Sequence, residues 1–144
     1  MVLKMTKRVK NKVKDTLDQF LFSQIESSPE YQEWAQDYEL PTYITYNLSK
    51  TLRDYQEVAI KHFIWLFEQD PDKAKHLLFN LATGTGKTLT MAAAVLYLYQ
   101  KGYRNFVFLV HQTQIKDQAI KNFTDYKFEK YLFNPKGVKL NGRS

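Results

Sequence analysis

The sequence predicts an α/β protein, with a basic tail and helical leader over residues 1–50 and an incomplete half-domain with parallel strands over residues 51–144. Three observations carry that reading. Apolar runs of strand length, 76–81 and 105–110, alternate with stretches of helical periodicity, the order that parallel strands joined by crossover helices require. A glycine-containing loop separates the first run from the helical stretch after it. The composition suits a packed core, since 44% of the 144 residues are hydrophobic and 25% charged, with only five Gly and four Pro to break elements.

Each element follows from its pattern. Leu17, Phe20, Leu21 and Ile25 recur at helical spacing and predict a first helix, which Ser27, Ser28 and Pro29 end. Ser28 followed by Pro29 reads as a helix cap and first-turn proline, opening a short helix through Tyr31 and Trp34 that must stop before Pro41. Residues 40–51 read as an extended connector. From Tyr55, the positions Ala59, Ile60, Phe63, Ile64 and Phe67 predict an amphipathic helix, closed by a turn at Asp70, Pro71 and Asp72. His76 to Leu81 reads as a buried strand, Lys87 to Lys101 as a helix with Gly102 at its C-terminus, Asn105 to Val110 as a second strand, and Gln114 to Phe123 as a second amphipathic helix.

The chemistry concentrates at Leu81, Ala82, Thr83, Gly84, Thr85, Gly86, Lys87 and Thr88, between the first predicted strand and its helix. Gly84 and Gly86 allow the backbone to turn and approach an anion without a Cβ clash, and the first amides of the helix have no intrahelical acceptor. Lys87 places a point charge where β and γ phosphates would lie, and the Thr88 hydroxyl is a ligand for Mg²⁺. Thr83, Gly84, Thr85, Gly86, Lys87 and Thr88 are therefore the candidate nucleotide-binding residues, with Lys87 the candidate catalytic group and Thr88 the candidate metal ligand.

The first position of the ordinary phosphate-loop pattern is Gly, and here it is Leu81. The string LATGTGKT resembles motif I of superfamily 2 helicases and translocases, in which that Gly is commonly replaced. Upstream, Leu52, Arg53, Asp54, Tyr55 and Gln56 resemble the glutamine motif of the same enzymes. That resemblance implies that the Gln56 carboxamide pairs with adenine through one donor and one acceptor. The likeness extends over roughly Leu52 to Gly142: FNLATGTGKTLTMAAAVLYLYQKGYRNFVFLV and KYLFNPKGVKLNG resemble the start of the helicase domain of type III restriction enzyme Res subunits and related DEAD/DEAH proteins. It implies a RecA-like phosphate-loop domain, ATP and Mg²⁺ as cofactors, and DNA, the remainder of a helicase chain or a methylation subunit as partners. The segment His111 to Ile115 then corresponds to motif Ia, whose Gln112, Thr113 and Gln114 would hold nucleic-acid phosphates.

Charge and missing residues bound the function. Net charge is +6, and residues 1–14 alone carry Lys4, Lys7, Arg8, Lys10, Lys12 and Lys14 without an acid. Residues 15–50 hold seven acids against Lys50, while residues 101–144 hold nine Lys and Arg against three acids, so two basic ends flank the middle. Basic ends suit a polyanion through counterion release. With no cysteine and three His, thiolate zinc sites, disulfides and Cys nucleophiles are excluded. No apolar run reaches membrane-spanning length and the first residues lack a secretory core, so a cytoplasmic protein without a membrane partner is expected. Hydrolysis needs a carboxylate at the end of a further strand to hold Mg²⁺ and a neighbouring acid to orient water. No Asp-Glu pair occurs, and Asp117, Asp125 and Glu129 lie on or after the last helix. The expectation is thus an ATP-binding N-terminal part of a restriction-type helicase or DNA translocase, a fragment or natural truncation not hydrolytically competent alone. A non-catalytic nucleic-acid or partner-binding module, or another phosphate-loop NTPase such as a kinase, remain alternatives.

Overall fold

The computed structural model describes residues 21–70, 77–109 and 113–140. The chain divides into two compact units between Glu39 and Leu40. In the first, helix α1 (Leu21–Glu26) buries Ile25; Leu17 and Phe20, from the same predicted helix, lie outside the described residues. Helix α2 (Pro29–Asp37) starts as its sequence dictates: Ser28 is in extended conformation, its hydroxyl accepts from the Tyr31 N–H at 3.3 Å, and Pro29 needs no acceptor at the first turn. The Ser28 hydroxyl donates to the Glu30 carboxylate at 2.6 Å, a bond that holds Glu30 below the usual glutamate range. Trp34 and Tyr38 stack with centroids 4.0 Å apart. Burial, assisted by the charge of Glu26, pushes the Tyr31 phenol up to about 12.

The second unit is built on helices α4 (Asp54–Gln69) and α5 (Lys87–Gln100), with the short helix α3 (Thr42–Thr45) packed on α5. That short helix corrects the expectation of an extended connector over 40–51: Pro41 fixes φ at −54°, and the Ile44 N–H returns to its carbonyl, starting a turn that buries Ile44. Helix α4 buries Gln56, Ile60, Phe63 and Ile64 along one stripe, and α5 buries Leu89, Ala92, Ala93, Leu96 and Tyr97. The two stripes meet at Tyr97, whose ring stands edge-on to Phe63 and Phe67, each at 5.6 Å. Edge-to-face pairs of this kind contribute about 0.5–1.5 kcal/mol each beyond area burial. At the same end the Tyr97 hydroxyl donates to Glu68, which also takes Lys101 at 3.4 Å.

The sequence misleads most over strands. Among the described residues there is no sheet, and the one isolated β-bridge joins Leu48 to Phe133. The α/β half-domain with parallel strands is therefore overturned: residues 77–81 and 105–109 form neither strand, while His76 and Val110 lie outside the described residues. An apolar run reports a tendency toward burial, whereas a strand also needs a neighbour for every second N–H and C=O. No backbone hydrogen bond to a described residue joins either run to the rest of the unit. They attach through aromatic rings instead, Phe79 to Phe63 of α4 at 6.2 Å and Phe108 to Phe123 at 4.6 Å. Their neighbours Leu78, Val107 and Leu109 are 91%, 84% and 91% exposed.

Helix α6 (Thr113–Thr124) presents Phe123 to both Phe108 and Phe133 and buries Asn122, whose backbone carbonyl accepts from the Leu132 N–H. From there the chain is laid against residues 43–49. The fully buried Asn47 fastens it: its carboxamide N–H₂ donates to the Tyr43 and Lys139 carbonyls at 2.6 and 2.7 Å, and its oxygen accepts from the Lys139 N–H at 2.6 Å. Asn134 N–H donates to the Asn47 carbonyl and the Asn134 side chain to the Tyr46 carbonyl, closing the seam from both sides.

Candidate phosphate-binding site

The loop before α5 takes the shape that its glycines permit. Gly84 and Gly86 have φ of +80° and +75°, left-handed values that other residues adopt at a cost. Between them the Thr85 hydroxyl donates to the Ala82 carbonyl at 2.6 Å and tightens the turn. The Leu89 and Thr90 N–H groups both return to the Gly86 carbonyl, at 2.9 and 3.3 Å, so the helix begins at Lys87. The N–H groups of Gly86, Lys87 and Thr88 donate to no carbonyl among the described residues. Such amides at a helix N-terminus form a partially positive cradle.

The side chains at this cradle are available. Lys87 is exposed and makes no ion pair with a described residue, and the half-buried Thr88 hydroxyl has no hydrogen bond there either. Thr83, Gly84 and Gly86 are exposed on the loop, and a Cβ at Gly84 would meet nothing within 4 Å. The structure thus brings the predicted run 83–88 together in one turn leading into the N-terminus of α5.

Gln56 comes to the same place from α4. It is 2% exposed, and its N–H₂ donates to the Thr85 carbonyl at 2.8 Å and the Gly86 carbonyl at 3.1 Å while its oxygen accepts from the Arg53 N–H at 2.9 Å. Three of the four hydrogen-bonding positions of a carboxamide are therefore used within the chain, with one lone pair on Oε1 left over. The approach is close enough that a Cβ at Gly86 would stand 2.6 Å from Gln56 Nε2. Glycine at 86 is thus required twice, by its φ and by the carboxamide beneath it.

Tyr55 also reaches the loop, with Arg53 bonded to it from behind. The Tyr55 hydroxyl donates to the Thr85 carbonyl at 2.8 Å and accepts from Arg53 Nη1 at 3.1 Å. Both lie in the same Leu-Arg-Asp-Tyr-Gln string as Gln56, and that adjacency was the available signal. Of the residues expected to hold nucleic acid, Thr113 and Gln114 open α6 and are exposed, whereas Gln112 lies outside the described residues. No group of three or more His, Asp or Glu able to hold a metal occurs among the described residues. At the start of α5 the Thr88 hydroxyl offers an oxygen to a metal.

A profile of the family described as type III restriction enzyme, res subunit, matches residues 49–144, which includes the loop, Gln56 and the C-terminal seam. The chain belongs to that family. It is also 38% identical over 140 residues to a probable type III restriction-modification enzyme HindVIP Res subunit of Haemophilus influenzae. That alignment covers 89% of this chain and 27% of the Haemophilus protein, so the chain spans about a quarter of that Res subunit's length. No solved structure matches it. In this Res-family chain, no helix among the described residues is long and apolar enough to cross a membrane.

Proposed function

We propose that the chain is the ATP-binding N-terminal part of a type III restriction Res subunit, a cytoplasmic helicase-like translocase that acts on DNA together with a modification subunit. The observation that carries the nucleotide assignment is the unpartnered set at the start of α5: amides of Gly86, Lys87 and Thr88, the free Lys87 ammonium and the free Thr88 hydroxyl, around two left-handed glycines. This donor set fits a phosphate chain, because it offers several N–H groups and one cation with no competing carboxylate bonded to it.

In that reading Gly84, Thr85 and Gly86 shape the cradle, with Thr83 at its entrance. Lys87 draws the β and γ phosphates toward α5. Thr88 holds Mg²⁺, which when bound with the nucleotide neutralises charge on the phosphate oxygens. Gln56 contributes from beneath the loop by fixing the Thr85 and Gly86 carbonyls away from the anion. Reading adenine with both a donor and an acceptor requires Gln56 to release a loop carbonyl; its remaining lone pair by itself suits the 6-amino group of adenine and opposes the 6-oxo group of guanine. Thr113 and Gln114 at the start of α6, Gln112 of the same sequence segment and the basic ends provide the nucleic-acid contacts. Turnover is not expected of this chain alone, because no group of three or more His, Asp or Glu able to hold a metal accompanies the Thr88 hydroxyl among the described residues.

Calorimetric titration of the chain and its Lys87→Ala variant with Mg·ATP tests the proposal. Removing a charge-assisted bond should weaken binding by about ten- to hundredfold, the equivalent of about 1.5–3 kcal/mol. Equal affinity in both proteins would refute it.

A further inference from the structure

We propose that Tyr55 is a positioning residue for the nucleotide phosphates, acting through the Thr85 carbonyl with Arg53 orienting its hydroxyl. The inference rests on the nucleotide reading of the loop.

The geometry is a three-member chain. Arg53 Nη1 donates to the Tyr55 hydroxyl at 3.1 Å, and that hydroxyl donates to the Thr85 carbonyl at 2.8 Å. A tyrosine hydroxyl has one proton, so accepting from a guanidinium commits that proton to the carbonyl and polarises it. The Thr85 carbonyl also takes Gln56 Nε2 at 2.8 Å, so both of its acceptor positions are filled by α4 side chains. A peptide unit has opposed N–H and C=O groups. Fixing the Thr85 carbonyl toward α4 therefore turns the Gly86 N–H in the opposite direction, and that N–H, like those of Lys87 and Thr88, donates to no backbone carbonyl among the described residues.

Tyr55 differs from Gln56 in what the rest of the fold asks of it. Gln56 is buried and also caps the first turn of α4 through the Arg53 N–H, so its loss disturbs the helix as well as the loop. Tyr55 is 40% exposed, and apart from Arg53 its hydroxyl has the Thr85 carbonyl as its partner. The Tyr55 hydroxyl can therefore be removed without opening the core. Because it acts on the loop backbone, its effect should follow the phosphate chain and ignore the base.

The test titrates the full chain, Tyr55→Phe, Arg53→Met and Lys87→Ala with Mg·ATP, Mg·GTP and inorganic tripolyphosphate, and records thermal midpoints. Tyr55→Phe should bind all three ligands about three- to tenfold more weakly, the loss expected for one neutral hydrogen bond, with an unchanged midpoint. Arg53→Met should show a smaller loss in the same sense. Wild-type affinity in Tyr55→Phe alongside weakened binding in Lys87→Ala would overturn the role of Tyr55 and leave the nucleotide site standing. A loss confined to ATP would place Tyr55 at the base, and a loss accompanied by a lowered midpoint would make it an ordinary structural residue; either result overturns the inference. Unchanged binding in Lys87→Ala would instead remove the nucleotide reading beneath it.

Discussion

Alanine at Gly86 and at Gly84 should have unequal consequences, although both glycines are left-handed and two residues apart. At Gly84 an added Cβ meets no atom within 4 Å, so the substitution costs only the left-handed conformation. That cost is about 1–2 kcal/mol. At Gly86 the same conformational cost applies, and the Cβ would also stand 2.6 Å from Gln56 Nε2. The carboxamide must move, losing its bonds to the Thr85 and Gly86 carbonyls while staying buried. Leaving such a group unsatisfied costs about 1–3 kcal/mol, so Gly86→Ala should destabilise by about 2–5 kcal/mol in total. Urea denaturation followed by circular dichroism at constant slope measures both variants. The double variant Gly86→Ala, Gln56→Ala should lose less stability than the two single changes added together, since the second removes the obstacle to the first. Equal destabilisation by Gly84→Ala and Gly86→Ala, or strict additivity in the double variant, would refute the close fit of Gln56 under the loop.

Asn47→Ala should destabilise the second unit by about 2–4 kcal/mol, because it strips three hydrogen bonds from a fully buried position; faster amide exchange at Lys139 and Asn134 would localise the damage to the C-terminal seam. The Tyr31 phenol, held neutral up to about 12, should supply a late component in an ultraviolet pH titration that Tyr31→Phe removes. Because its folded value lies above the ordinary value of 10.0, Tyr31 stabilises the folded state fully below pH 10 and loses that contribution as pH rises toward about 12.

The turn into α5 was legible because its cause is local: Gly84 and Gly86 permit the left-handed backbone from which the helix starts at Lys87. Ser28 and Pro29 were legible for the same reason, as was the face of α4. The strands were not. Leu78 and Val107 carry the composition of buried strand residues, yet a strand is defined by a partner remote in sequence, which periodicity cannot report. Phe79 and Phe108 explain part of the apolar signal as aromatic anchors on helices. The placement of Gln56 beside the loop followed from its string, but its bonds did not. Whether a carboxamide faces a base or a backbone carbonyl depends on the helix rotation that sets it 2.8 Å from Thr85. Asn47 had no sequence signature at all, since an asparagine that staples residues 92 positions away looks like any loop asparagine.

Amide chemical-shift mapping of the ¹⁵N-labelled chain during titration with Mg·ATP tests the nucleotide site most directly. The phosphate cradle predicts that the largest changes fall on Gly84, Gly86, Lys87 and Thr88, with the Gln56 side-chain amide following through its bonds to the loop. Changes confined to the basic residues of α6 and the C-terminal segment, with the glycines of the loop unmoved, would contradict it.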